Sequence, residues 1–208
     1  REERGRKVGE EGRGRGEGEN GDKGEPEVVV GQYVAEMADQ TRRRTPPVMP
    51  TMHTSSGTAL QINKNRFGSL EMEITAVRLL DAQGLEVSEM ESGRPLQVEI
   101  TFQAPTPIKM PIIGVTISRE DGLVCYDTHT EDADLRLGVR EGEGKILLAL
   151  DRLDLVQGSY FVDVGIYETN WSHAYDYHWH VYPLLVTTGF GYKGVLAPPA
   201  RWLLDVKS

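Results

Sequence analysis

Alternating apolar and polar residues dominate the chain from Leu70 onward. In one segment Leu96, Val98, Ile100 and Phe102 share a face, and the residues between them are polar. Such period-two alternation predicts β-strands with one buried face. The other segments with this pattern are Leu70–Ala76, Ile113–Ile117, Leu123–Thr128, Ile146–Leu150, Tyr160–Ile166 and His178–Val186.

Short clusters of turn-forming residues separate the predicted strands. They are Asp81–Gly84, Ser92–Pro95, Glu120–Gly122, Gly142–Gly144 and Gln157–Ser159. Gly, Pro, Asp and Ser at these points favour hairpins over helical crossovers. The predicted fold class is therefore all-β, an antiparallel β-sandwich of the immunoglobulin or jelly-roll type over residues 66–208.

The N-terminal quarter of the chain lacks this pattern. Residues 1–25 comprise seven basic residues, eight acidic residues and eight glycines, with one Val and one Asn. A segment with so little apolar surface cannot offset the loss of chain entropy on folding. We therefore expect a disordered, charged, Gly-rich linker over residues 1–25.

One short amphipathic helix is predicted between this linker and the sandwich. Val29, Tyr33 and Met37 recur at helical spacing, which places the helix within residues 26–44. A helix of this length is marginal alone, so it either packs on the sandwich or lacks its partner in this sequence. Residues 45–65, rich in Pro, Ser and Thr, predict an extended linker or edge strand.

Charge and cysteine content narrow the functional classes. Residues 66–208 carry 12 Lys or Arg and 21 Asp or Glu, and this net charge of −9 argues against nucleic acid and anionic membranes as partners. No apolar run approaches the about 20 residues of a membrane span. The single cysteine, Cys125, lies in an apolar run and predicts a buried thiol in a reducing, cytoplasmic compartment.

Catalytic and metal-binding motifs are missing from the sequence. It contains neither a phosphate-binding loop nor a nucleophile elbow. His178 and His180 share a strand face and could bind metal with His129 or His173, but without a diagnostic ligand spacing we expect no metal site. The acidic group at Asp127, Glu131, Asp132 and Asp134 could serve a glycosidase or bind calcium, but a charged loop is the simpler interpretation.

An aromatic segment is the strongest functional signal in the sequence. Six of the sixteen residues in Tyr167–Tyr182 are Tyr or Trp, whereas the whole chain is 7% aromatic. Alternation places Tyr175, Tyr177 and Trp179 on one face, and Asp176, His178 and His180 on the other. Aromatic faces pack on the C–H patches of pyranose rings, and polar side chains bind sugar hydroxyls. The candidate carbohydrate contacts are Trp171, Tyr175, Tyr177, His178, Trp179 and His180.

Several longer motifs resemble the C-terminal domain of the ATP-binding subunit of ABC exporters for O-antigen polysaccharides, the Wzt type. The resemblance covers most of residues 66–206. The motifs are Arg66–Asp81, Ser92–Leu96, Ile113–Gly122, Gly158–Ile166, Asp176–His178, Gly194–Leu196 and Arg201–Trp202.

This resemblance implies a noncatalytic, cytoplasmic β-sandwich that binds the finished polysaccharide near its non-reducing end. Gly24–Tyr33 resembles the end of the nucleotide-binding domain, so we expect ATP and Mg²⁺ to bind in a missing N-terminal part and no cofactor in this fragment. The expected partners are the O-antigen, the nucleotide-binding domain and the membrane-spanning exporter subunit. The resemblance also implies a homodimer in which Gly194–Val206 could be exchanged between subunits.

Two other hypotheses remain open from the sequence. The sandwich could be a structural module that dimerises the transporter and uses its aromatic residues at the interface. It could also be a glycoside hydrolase that uses the acidic loop. If the domain is a dimerisation module, Trp179 should mediate dimerisation. If it is a hydrolase, Asp127 should support turnover.

Overall fold

The computed structural model describes residues 37–187 and 193–203. The predicted linker at 1–25 and the first part of the predicted helix therefore lie outside the described residues. Residues 37–44 are helical. The strands are β1 (Met52–His53), β2 (Ala59–Leu60), β3 (Arg66–Phe67), β4 (Glu73–Leu80), β5 (Glu89–Glu91), β6 (Leu96–Lys109), β7 (Ile112–Arg119), β8 (Val124–His129), β9 (Val139–Leu150), β10 (Gly158–Tyr167) and β11 (Ala174–Thr187).

Two facing sheets form a β-sandwich, as the alternation predicted. The larger sheet has the order β3-β11-β10-β7-β8, and β5 also pairs with β11. The smaller sheet has the order β4-β6-β9, and β1 and β2 form a separate hairpin within the segment 45–65. All pairings between the named strands are antiparallel except the short parallel pairing of β5 with β11.

Apolar side chains from the inner faces of both sheets make one core. Val98 and Ile100 of the smaller sheet and Val162 and Val164 of the larger sheet are at most 1% exposed. Burial of such residues is the main stabilising term of a sandwich. Cys125 packs against the edge of this core, and it is half-buried, so the expectation of a buried thiol holds only in part.

The helical residues 37–44 are hydrogen-bonded to the sandwich. The backbone N–H of Ala174 donates to Thr41 Oγ1 (2.9 Å), and the N–H of Gly68 donates to Thr45 Oγ1 (2.9 Å). A Cβ at Gly68 would lie 2.3 Å from the carbonyl oxygen of Tyr175, so this approach requires glycine. The described part of the helix therefore has its packing partner in β3 and β11.

Bulges break the strict alternation in two strands. In β4 the register shifts between Ile74 and Ala76, so Ala76 is exposed where alternation places it in the core. In β11 the partners of Val162 and Val164 are Tyr182 and His178, which leaves three residues opposite one. A second shift in β11, between Ile166 and Tyr167, leaves Tyr175 unpaired.

Candidate functional site

The bulges divide the six predicted contact residues among three surroundings. His178 lies on the inner face and is 1% exposed, and Tyr175 is 7% exposed beside the helical residues. Trp171, Tyr177, Trp179 and His180 lie on the outer side of the larger sheet and are partly exposed. The prediction that Tyr175 shares a strand face with Tyr177 and Trp179, and His180 a face with His178, is wrong, because the register shifts in β11 turn Tyr175 inward and His180 outward.

His178 belongs to a buried polar cluster on the inner face of β11. Arg66 donates from Nε to Asp176 Oδ1 (2.9 Å) and from Nη2 to Asp176 Oδ2 (2.6 Å) and Glu73 Oε2 (2.8 Å). His178 Nδ1 lies 2.7 Å from the hydroxyl of Tyr182. Burial alone would raise the pKa of Asp176, but interactions with His178 and Arg66 lower it. This cluster joins β3, β4 and β11, and its burial makes it structural.

Tyr175 lies at the junction with the helical residues. Its ring packs edge-on against the buried ring of His173, with centroids 5.2 Å apart. Arg44 Nη1 lies 3.5 Å from His173 Nε2. Tyr175 and His178 are therefore out of reach of a ligand on the outer surface.

The remaining four residues belong to an aromatic strip on the outer face of the larger sheet. We define the aromatic strip as Phe161, Asp163 and Tyr167 of β10 with their neighbours His129, Trp171, Tyr177, Trp179 and His180. Residues Phe161 to Tyr167 span about 20 Å along an extended strand, at about 3.3 Å per residue. The strip is therefore long enough for more than one sugar ring.

Tyr167 is the centre of one end of the aromatic strip. Its ring lies over two glycines, because a Cβ would lie 2.3 Å from its Cζ at Gly165 and 3.3 Å from its Cε2 at Gly114. Trp171 packs on this ring with centroids 4.9 Å apart, and Tyr177 lies at 6.4 Å. The two glycines let the tyrosine lie against the sheet, which leaves a broad aromatic surface.

The turn between β10 and β11 fixes Trp171 beside Tyr167. The Trp171 N–H donates to the carbonyl of Glu168 (2.8 Å), and Trp171 takes a positive φ of 59°. Its indole Nε1 donates to Glu131 Oε2 (2.9 Å), and its ring meets His129 edge-on at 4.8 Å. The loop after β8 and the β10–β11 turn therefore close this end together.

Three stacked rings form the other end of the aromatic strip. His180 lies between Trp179 (centroids 4.5 Å apart) and Phe161 (4.6 Å). Its backbone N–H donates to Asp163 Oδ1 (2.6 Å), and its Nε2 lies 3.2 Å from Ser118 Oγ. Trp179 remains 44% exposed, so the stack presents an aromatic face to solvent.

Polar groups lie between the two aromatic ends. Burial raises the pKa of Asp163, although the N–H of His180 opposes this shift. Burial, followed by nearby Asp163 and Asp127, raises the pKa of the Tyr177 hydroxyl. Burial, followed by nearby Tyr177, Asp127 and Asp163, raises the pKa of the Tyr167 hydroxyl. Both phenols are therefore protonated at neutral pH and can donate hydrogen bonds.

A cleft of about 240 Å³ adjoins the Trp171 end of the strip. It is lined by residues of the loop after β8, including Glu131, and by Thr169 of the β10–β11 turn. Because Glu131 also binds the indole of Trp171, the cleft continues the strip.

Sequence reasoning missed Tyr167, Asp163 and His129 as parts of this surface. Tyr167 lay inside the aromatic segment, and Gly165 two residues earlier on the same strand face was the available signal. Asp163 lies on the same strand and face as Tyr167, so alternation could have found it, whereas His129 lies on β8 and only the strand pairing brings it to the strip.

The histidines and acidic residues considered above for metal binding or catalysis lie in separate parts of the structure or are hydrogen-bonded to other residues. Among residues 37–187 and 193–203, no group of three or more His, Cys, Asp or Glu side chains could hold a metal ion. His173 lies at the helix junction, His178 in the core and His180 in the bulge. In the acidic loop, Glu131 binds Trp171 and Asp132 lies 3.2 Å from His129 Nε2.

The fold and this surface define the class of the protein as an all-β sandwich domain. The model of the Wzt C-terminal domain family matches residues 63–196, and the chain belongs to this family. Membership supports a role in an O-antigen ABC exporter, of which this domain is a noncatalytic part.

A solved structure supports the same fold. The chain is similar to the protein described as "Crystal structure of the C-terminal domain of wzt", with a TM-score of 0.62 and 18% sequence identity. The match covers 69% of this chain and 90% of that chain. No curated protein matches the chain. Within the part of the chain that the structure describes, no helix is long and apolar enough to cross a membrane.

Proposed function

We propose that the domain binds an O-antigen-type polysaccharide, near its non-reducing end, and couples the finished glycan to export. The observation that carries this proposal is the aromatic strip, in which Tyr167 and Trp171 form one ring surface and Trp179 and His180 form another. Two partly exposed aromatic surfaces on one sheet face suit an extended chain of sugar rings.

Polar groups within the strip support the same ligand. The phenols of Tyr167 and Tyr177 are donors, and the carboxylates of Asp163 and Asp127 are acceptors. A sugar presents hydroxyls that donate and accept in close alternation, so a mixed set of groups around a ring platform matches it. A purely apolar protein partner would instead desolvate the exposed carboxylate of Asp127.

In the assembled exporter that we propose, the domain lies in the cytoplasm at the inner face of the membrane. ATP and Mg²⁺ bind to the nucleotide-binding domain, and the sandwich contributes recognition. The membrane-spanning subunit then receives the glycan that the sandwich holds.

Calorimetric titration with the host's own O-polysaccharide tests the proposal. We expect Trp171→Ala to weaken binding at least about tenfold, equivalent to about 1.4 kcal/mol, with little change in melting temperature. Leu147→Ala is the matched control, because Leu147 is an apolar residue, 48% exposed, on the smaller sheet. The absence of heat and NMR shifts with wild-type protein at millimolar glycan would refute glycan binding.

A second candidate function, dimerisation, is favoured by the open edge of the smaller sheet. Among the strands of the described residues, β9 pairs only with β6, and a groove of about 430 Å³ beside it is lined by Phe102, Leu137 and Ile146. Trp202 is 101% exposed and Leu203 is 90% exposed. We propose that this C-terminal segment packs on a second copy of the chain, as an exchanged strand would.

A further inference from the structure

Four carboxylates surround the aromatic strip. Asp163 lies on β10 within the strip, and Asp127 lies on β8, two strands away. Glu131 and Asp132 lie at the rim. Their polar contacts come from neutral or titratable groups: the N–H of His180, Thr116 Oγ1, the indole of Trp171 and His129 Nε2.

No Lys or Arg side chain compensates these carboxylates. Within residues 37–187 and 193–203, none of their hydrogen bonds or ion pairs comes from a Lys or Arg. Some acidic side chains elsewhere in the same range do have such partners, namely Asp39, Glu73, Glu86, Glu91, Glu99, Asp121, Asp154 and Asp176. The strip is therefore a local region of uncompensated negative charge.

Burial strengthens the field of this region. Asp163 is 4% exposed, and its Oδ2 lies 3.8 Å from His180 Nε2, too far for a hydrogen bond. A charge in such a site is screened less by water and salt than one on the open surface. A second negative charge brought to the ring of Tyr167 would meet this carboxylate at close range.

Resting on the proposed function, we propose that the aromatic strip selects sugar units that are uncharged or carry an amino group, and rejects units that carry a carboxylate, phosphate or sulfate. Hydroxyl and ammonium groups donate to the exposed carboxylate of Asp127, whereas an anionic substituent would be repelled by Asp127 and by the charge of the buried Asp163. The rings supply affinity for any pyranose, and the carboxylates supply the discrimination by charge.

Acylated forms of the host's own O-polysaccharide test this selectivity. Succinylation adds an acyl chain that ends in a carboxylate, and butyrylation to the same degree adds an uncharged chain of the same length. We expect wild-type protein to bind the butyrylated polysaccharide at least tenfold more tightly than the succinylated one at low salt. This ratio should fall at about 1 M salt, where the Debye length shortens from about 30 Å to about 3 Å.

Asn substitutions separate charge from size. In the Asp163→Asn, Asp127→Asn double variant the affinity ratio should approach one, because both substitutions preserve shape. Asp127→Asn alone, at an exposed residue, should reduce the ratio if the double variant does not fold. Equal wild-type binding of the two acylated forms, or a ratio that persists in the variants, overturns the selectivity while glycan binding stands. If the untreated polysaccharide fails to bind wild-type protein, both proposals fall.

Discussion

Arg66 is the single residue on which the packing of three strands depends most. Its guanidinium is 4% exposed and pairs with two carboxylates, one of them the fully buried Asp176. Ile74 donates its N–H to the same Asp176 oxygen that accepts from Arg66 Nη2. Loss of the arginine would leave a buried carboxylate without its cation, which is among the costliest single changes in a core.

We expect Arg66→Met to lower the free energy of unfolding by about 3–5 kcal/mol, a typical cost of breaking a buried ion pair. Urea denaturation followed by circular dichroism measures it. Arg94→Met is the matched control, because the Arg94–Glu91 pair is 68% exposed on both sides, and it should stay within about 0.5 kcal/mol of wild type. Equal effects of the two changes would show that the cluster is not structural.

Asp176 and Asp163 should give opposite dependences of stability on pH. The pKa of Asp176 is lowered from 3.8, so its stabilisation is present above that value and is lost as pH falls through the folded pKa. The pKa of Asp163 is raised from 3.8, so its charged form destabilises the fold at neutral pH, and this cost disappears as pH falls through the raised pKa.

Urea unfolding of Asn variants across a pH series measures this contrast. We expect Asp176→Asn to be much less stable than wild type at pH about 7 and to approach it below pH about 4. Asp163→Asn, which keeps the acceptor for His180, should match or exceed wild type at neutral pH and lose that advantage in acid. Parallel curves for the two variants would contradict the assignment.

At the scale of the elements, the β11 bulges explain both the success and the failure of the sequence analysis. Alternation identified the strands because one face of each is buried, and that holds along most of β6 and β10. It misplaced Tyr175 because inserted residues leave no mark in a hydrophobic pattern. Tyr167 escaped notice since its role depends on Gly114, which strand pairing brings beneath it.

The helical segment before the sandwich is held by two buried threonines. Thr41 and Thr45 are 6% and 8% exposed, and each accepts a backbone N–H from the sandwich. Val in their place would keep most of the shape and leave the N–H groups of Ala174 and Gly68 unpaired. Buried unpaired donors cost about 1–3 kcal/mol each.

We therefore expect Thr41→Val and Thr45→Val each to lower the free energy of unfolding by about 1–3 kcal/mol. Amide hydrogen exchange should also become faster at Ala174 and Gly68. Thr51→Val, at an exposed position, is the control and should change neither quantity. Unchanged exchange in both buried variants would mean that these hydrogen bonds do not hold the segment.

At the scale of the whole molecule, the open β9 edge and the exposed C-terminal residues Trp202 and Leu203 both bear on whether the domain dimerises. The Leu155–Leu196 bridge is the last pairing in the described chain, and residues 197–203 lie beyond it without strand partners there. An apolar segment and an uncovered edge on one chain are complementary features, and a second copy supplies both at once.

We expect Trp202→Ser combined with Leu203→Ser to convert a dimer into a monomer, as measured by sedimentation velocity. Glycan affinity per subunit should be unchanged, because both residues lie outside the aromatic strip. Val48→Ser is the control, since Val48 is an apolar residue, 80% exposed, in the segment before β1. A wild-type protein that sediments as a monomer would remove the dimer proposal.

At this scale the sequence predicted the sandwich and the family, but it did not predict how the aromatic strip is assembled. Charge balance and the lack of recognisable catalytic motifs favoured a binding function in the sequence analysis, and the family match confirmed the motif resemblance. The aromatic strip forms because the pairing of β7, β8, β10 and β11 brings their residues together around Tyr167. The sequence around a residue such as His129 does not show this pairing register.

Gly165 and Gly114, which lie beneath the ring of Tyr167, give the sheet and the loops different roles in the aromatic strip. A side chain at Gly165 or Gly114 would push the ring of Tyr167 away from the sheet. Within the aromatic strip, the sheet therefore contributes a flat aromatic surface and carboxylates. Under the proposed function, the sheet discriminates by charge through Asp163 and Asp127, and the groups that distinguish one uncharged sugar from another come from the loop carrying Glu131 and the turn carrying Trp171. If the domain binds glycan as proposed, loop substitutions alone could change which uncharged sugar it accepts, while the sheet that makes it fold stays the same.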